Sequence, residues 1–165
     1  MTVYVDDSGW GSLLGGVAIG MYNDANKKFL YQIIDIKHFQ GKNFKNQTYL
    51  EEALDMFVEM ESRIGRYNKI VVCRGFILDR IFDHLEEFSR IHYERAEIGD
   101  PLQGLLEKAF NAHLRGLGVP VTGPGAHGMS YDDQVKWALR FKKRAKLAKT
   151  GWKCWSKLQS IGWDK

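Results

Sequence analysis

The chain has 165 residues, 44% of them hydrophobic and 27% charged, with a formal net charge of +4. That length predicts one domain of ordinary size that buries a core of its own. No run approaches the roughly eighteen apolar residues of a membrane-spanning helix, and two cysteines, Cys73 and Cys154, are too few for a disulfide framework.

The N-terminus has no basic-then-apolar secretion signal. Neither cysteine has a partner at Cys-x-x-Cys spacing, so a structural zinc site is not expected. A reduced, cytoplasmic protein is the expectation. The charge is uneven: residues 134–165 hold ten Lys/Arg and one acid, Asp164, while the rest holds fourteen Lys/Arg and nineteen acids. A basic segment on a slightly acidic body predicts a polyanionic partner, nucleic acid first.

In chain order, residues 3–5 and 17–22 read as strands, joined by a glycine-rich connection and rich in β-branched and aromatic side chains. Asn23-Asp24-Ala25-Asn26 is a turn by composition, and residues 29–36 complete an antiparallel meander. A polar loop over 40–47 carries Lys42 and Lys45. Thr48, with Glu51 three residues on, predicts an N-cap and capping box. Leu50, Ala53, Leu54, Phe57, Met60 and Ile64 then form one helical face, closed by Gly65.

Residues 69–73 are apolar after their lysine, as a strand buried on both faces would be. A second helix is predicted over 76–88 and a fifth strand over 92–98. Asp100-Pro101 reads as a cap and first-turn proline, opening a helix to about residue 117. A Gly/Pro-punctuated loop containing His127 follows. Ser130 or Asp132 caps a last long helix to about residue 149. Gly151 breaks the pattern, and residues 151–165 form a basic, Trp-rich tail to a domain over 1–150. Three antiparallel strands followed by alternating helices and strands predict an α/β fold: a mixed five-stranded sheet with helices on both faces.

The chemistry-bearing residues come in pairs. Asp6 and Asp7 end the first strand, and successive strand residues point to opposite faces. A carboxylate there suits a hard divalent cation, while Asp6-Asp7-Ser8-Gly9 is also ordinary turn chemistry. Glu51 and Glu52 flank the apolar face of the first helix about symmetrically. Glu51 already has a structural task in the capping box, which favours Glu52, and both also suit a positive helix N-terminus. Asp132 and Asp133 open the last helix, as site acids or as caps.

Asp6-Asp7-Ser8-Gly9-Trp10-Gly11, followed by Gly15-Gly16 and an apolar strand, resembles the opening of the ribonuclease H-like superfamily. It is closest to the start of type 2 ribonucleases H, with Asp7 in the Glu place, and is similar to the Asp-x-Gly-Ser start of RuvC-type Holliday junction resolvases. Tyr131-Asp132-Asp133-Gln134 resembles the Asp-led last helix of those resolvases, and His127 the loop histidine of type 1 ribonucleases H. The order of elements fits over residues 3–145. The resemblance implies Mg2+, or Mn2+ in its place, held by Asp6, Glu52 and Asp133. Asp7, Glu51 and Asp132 are their alternates, and His127 assists product release. Two such ions about 3.5–4 Å apart activate water and stabilise the leaving alkoxide.

One departure stands out. These families end the fourth strand with an acid, whereas here it ends Val72-Cys73-Arg74-Gly75, so Asp79, Glu97 or Asp100 must substitute, or the site has fewer acids.

Lys136, Arg140, Lys142, Lys143, Arg144, Lys146, Lys149 and Lys153, with Trp152 and Trp155, are the expected nucleic-acid contacts: cations for phosphates and rings for unpaired bases or base steps. The function expected is that of a metal-dependent endonuclease, first a homodimeric four-way-junction resolvase. A ribonuclease H acting on RNA–DNA hybrids is the alternative, and so is a non-catalytic binding domain of the same fold. A compact resolvase suits a phage or archaeal setting by analogy.

Overall fold

The computed structural model describes residues 1–122 and 128–160. Strands β1 (Thr2–Ser8), β2 (Val17–Asn23) and β3 (Lys28–Ile34) form the antiparallel meander. Helices α1 (Gly41–Lys45) and α2 (Thr48–Ile64) lead to β4 (Lys69–Cys73). Helix α3 (Asp79–Phe88) leads to β5 (His92–Ala96), and α4 (Leu102–Gly116) follows. Two helices close the described chain, α5 (Tyr131–Leu139) and α6 (Trp155–Ser160).

The sheet order is β3-β2-β1-β4-β5, with β1 central; β4 runs parallel to β1, and β5 parallel to β4. The protein is therefore α/β with a mixed five-stranded sheet, as the element order predicts. Alternation sorts the side chains to two faces. Val3, Val5, Ile19 and Met21 pack with Phe57 and Met60 of α2 and with Ile81 of α3. Ala18 and Tyr22 pack on the other side with Leu106, Phe110 and Leu114 of α4.

The start of α2 differs from the expected capping box. Gln47, at φ +54°, precedes the helix and Thr48 is its first residue. The Thr48 hydroxyl instead shares a 2.9 Å hydrogen bond with His38 Nδ1 and donates to the Asn43 carbonyl at 3.4 Å. The short α1 segment lies against it and captures the side chain. The expected cap at Asp100 is displaced by one residue: Pro101 takes the N-cap position and α4 begins at Leu102, while Asp100 Oδ1 accepts from Gly104 N at 3.1 Å.

The predicted long last helix is cut short. After Leu139 the chain is extended at Phe141 (φ −139°, ψ 127°), turns through a 3-10 helix over Lys142–Leu147, and extends again at Ala148. Arg140, Lys143 and Arg144 would sit three and four apart on a continuous helix, where like charges repel. The break lets the chain dock on the β1–β2 connection. Gly15 N donates to Leu147 O at 3.0 Å, and Lys149 N to Leu13 O at 2.8 Å.

Candidate active site

Strands β1, β4 and β5 are parallel, so their carboxyl ends share one edge of the sheet, where open α/β sheets bind ligands. Asp6 and Asp7 lie just before the end of β1, Cys73 ends β4, and Glu97 follows β5. These four, with Ser8, Trp10 and the α4 residues Gln103 and Glu107, line a cleft of about 490 Å³.

Asp6 shares the face of Tyr4 and Ser8 and is buried. Its Oδ1 accepts from Asp7 N at 2.8 Å, and the Cys73 thiol donates to its carboxylate. Burial raises the Asp6 pKa, and those two hydrogen bonds pull it back. Cys73 stands where the resemblance leads one to expect an acid. Burial, then the bond to Asp6, pushes its thiol up to about 11. The sulfur thus keeps its proton and orients Asp6.

Asp7 is turned to the opposite face, that of Val3 and Val5, against Gly75. A Cβ at Gly75 would lie 2.6 Å from Asp7 Oδ1, so a larger residue there would have to displace the Asp7 carboxylate. Burial and the neighbouring Asp6 charge push Asp7 up to about 7, with Lys149 opposing. The sign follows from proton binding. The folded state holds a proton on Asp7 between the ordinary carboxyl pKa and about 7, and the unfolded chain does not, so this group costs stability as pH rises through that window. With EDTA present, the stability advantage of Asp7→Asn over wild type is expected to grow from pH ~5 to ~8 and flatten above. Urea unfolding at several pH values checks this, and a pH-independent difference would refute it.

Lys149 departs furthest from its expected role. Expected to contact phosphate, it is 0% exposed. Its Nζ donates to the carbonyls of Gly9 at 2.6 Å and Trp10 at 3.0 Å. The rings of Phe39 and Trp152 lie 5.1 Å away and that of Trp10 5.9 Å. Burial pulls its pKa well below the ordinary lysine range, and the Asp7 charge opposes the shift. The segment is held here because Gly9, at φ +97° and with Phe110 filling the space of a Cβ, turns its carbonyl toward the lysine.

The other expected acids sit elsewhere. Glu52 pairs with His38 at 3.7 Å, and Glu51 with Arg80 at 2.7 Å. Neither lines the Asp6 cleft: α2 packs on the Val3 and Val5 side of the sheet, opposite the face that Asp6 shares with Tyr4. Asp133 accepts from the Ser130 hydroxyl at 2.7 Å, its own N–H returning to Ser130 at 3.1 Å. Ser130 is thus the N-cap of α5 and Asp133 its partner in the first turn, and Asp133 lines a different hollow, with Lys136, Trp137 and Arg140. Asp132 is exposed beside it. His127 lies outside the described residues. Asp79 pairs with Arg95 at 2.6 Å.

Of the expected nucleic-acid contacts, Lys136, Arg140, Lys142, Lys143, Lys146 and Lys153 are exposed. Arg144 is half-buried, its guanidinium 4.1 Å over Trp137. Trp155 is 5% exposed, buried in the cluster of Ala18, Tyr22 and α4, so its ring is not available to bases, and Trp152 is half-buried against Lys149.

Glu107 was missed. Its signal lay in the α4 pattern: Leu102, Leu106 and Phe110 mark the buried stripe, and Gln103 and Glu107 run along its border, one turn apart.

Among the described residues, no three carboxylate, imidazole or thiol groups close around one point as a caged metal ion requires. Mg2+ is usually held more openly, by one or two carboxylates with waters and substrate phosphates. The cleft offers that donor set in Asp6 and Glu107. The buried Ser8 hydroxyl, which has no hydrogen-bond partner among the described residues, adds a further oxygen.

No protein-family model matches this chain, and no curated protein matches it either. No described helix is long and apolar enough to cross a membrane.

Proposed function

We propose that the chain is a metal-dependent endonuclease of the ribonuclease H-like kind, hydrolysing phosphodiester bonds in structured nucleic acid. The observation that carries this reading is a buried carboxylate, Asp6, at the carboxyl end of the central strand, in a cleft walled by a helix that bears Glu107. The strand order with β1 between β2 and a parallel β4 supports it.

Asp6 and Glu107 would hold the divalent cation, Mg2+ or Mn2+, with Glu97 as a third acid at the rim. A cation bound there supplies Lewis-acid stabilisation of the charge that develops on the phosphoryl oxygens. The chain's own groups do the rest. The Cys73 thiol fixes the orientation of Asp6. Trp10 forms an apolar wall on one side. The exposed cations of the C-terminal segment neutralise backbone phosphates, which gives affinity without sequence preference.

The substrate we favour is a four-way DNA junction, cut by a homodimer with one site per strand; an RNA–DNA hybrid is second. Cys73 in place of an acid favours one further reading, a binding domain of the same fold that no longer cleaves. Labelled junction, hybrid and plain duplex, incubated with Mg2+, Mn2+ or EDTA, separate these. Metal-dependent, paired nicking of the junction is expected. Cleavage of the hybrid alone would move the substrate, and binding without cleavage would leave the binding domain.

A further inference from the structure

The C-terminal basic segment does not stand alone. Gln40 Nε2 donates to the carbonyls of Lys146 at 3.0 Å and Ala148 at 2.9 Å, and Gly151 N donates to Phe39 O at 3.0 Å. The α1 segment is thereby laid alongside residues 146–151. Both stretches are basic: no acid occurs within residues 36–50 or 134–160. Lys37, Lys42, Lys45, Lys142, Lys143 and Lys146 are exposed. Among the described residues none of these six pairs with a carboxylate.

Within this field one large apolar side chain is left open. Phe141 is 44% exposed at the break after α5. The Arg144 guanidinium lies 4.6 Å from its ring centre, with Arg140 at 5.7 Å and Lys143 at 6.0 Å. Arg144 is itself fixed by Trp137, donating to its carbonyl at 2.9 Å. The ring is therefore held among cations and not free to fold away.

We propose that residues 37–45 and 136–146 form one binding surface for unpaired nucleotides, with Phe141 as the stacking face. This rests on the nucleic-acid reading above and adds to it which strand form is gripped. Cations alone would hold duplex and single strand alike. An exposed ring discriminates, because duplex bases already stack on one another and only an unpaired base offers a free face. A flap, a gap or the open centre of a branched substrate presents such bases. An anionic membrane is the poorer fit. Membrane-seated helices present a whole apolar stripe, whereas Ala138 and Leu139 of α5 are buried and the open apolar surface here is a single ring.

Fluorescence anisotropy in EDTA, with a labelled oligothymidine and a duplex of equal length, tests this. Wild type is expected to prefer the single strand. Phe141→Ala should weaken single-strand binding about tenfold and duplex binding less than twofold, and Phe141→Tyr should restore it. Lys42→Glu with Lys45→Glu should weaken both and lower the salt slope on the single strand by about 1–2. Matching thermal melts exclude misfolding. The proposal is overturned if Phe141→Ala affects both ligands equally or neither, or if the lysine changes leave the salt slope unaltered. It is also overturned if phosphatidylserine vesicles are bound in preference to the oligonucleotide. Binding that behaves as expected, without cleavage of any substrate, would sink the nuclease reading and leave this surface standing.

Discussion

Asp6→Asn is expected to reduce metal-dependent cleavage by at least about 10³-fold. The substitution keeps the shape of the side chain and one carbonyl oxygen for the Cys73 thiol. What it removes is the negative charge that would hold a cation and oppose the charge of the phosphate. The fold should not suffer. Asp6 is buried and its ionised form is disfavoured there, so a neutral amide lowers a desolvation cost. The melting temperature is expected to stay level or rise while activity disappears. Glu107→Gln should follow in the same direction. Glu52→Gln and Asp133→Asn should retain activity within about threefold, since their carboxylates are engaged with His38 and Ser130. Full activity of Asp6→Asn would refute the assignment, and so would a loss confined to Asp133→Asn.

The second large effect concerns stability. Lys149→Met is expected to lower the unfolding free energy by about 2–4 kcal/mol. Methionine fills similar volume but cannot donate, so the Gly9 and Trp10 carbonyls lose their partner inside the protein. Asp7 loses the one cation that opposes its upward pKa shift. The relief of no longer burying an ammonium offsets part of this and sets the upper end of the range. Urea unfolding measures it. The same variant should loosen residues 146–151, seen as faster amide exchange at Lys149 and Gly151, whose N–H groups bond to Leu13 and Phe39. A neutral or stabilising Lys149→Met would show that the buried ammonium does not anchor the segment.

These two residues also mark what the sequence could and could not convey. The position of Asp6 and Asp7 towards the carboxyl end of a first strand was legible because strand patterning and the Gly-rich connection are local, but alternation alone did not choose between the two. The sheet was legible for the same reason, through the meander and the apolar run at β4. Lys149 was not. A lysine in a basic stretch reads as solvated, and only the docking of residues 147–149 on the β1–β2 connection buries it. The break at Phe141 accompanies the same docking, so a capped, periodic helix pattern ran on too far. Glu51 and Glu52 were equivalent on the helical wheel. Their partners, Arg80 and His38, lie 29 and 14 positions away in the chain, beyond any local pattern. Glu107 required knowing which border of α4 faces the end of β1.

The central claim is that a divalent cation binds at Asp6 and Glu107, and Mn2+ binding followed by electron paramagnetic resonance tests it most directly. Wild type is expected to bind Mn2+, with Mg2+ competing. Asp6→Asn and Glu107→Gln should each weaken binding by about tenfold or more, while Glu52→Gln and Asp133→Asn bind as wild type does. Unchanged Mn2+ binding in Asp6→Asn, or its loss in Asp133→Asn, would contradict the site.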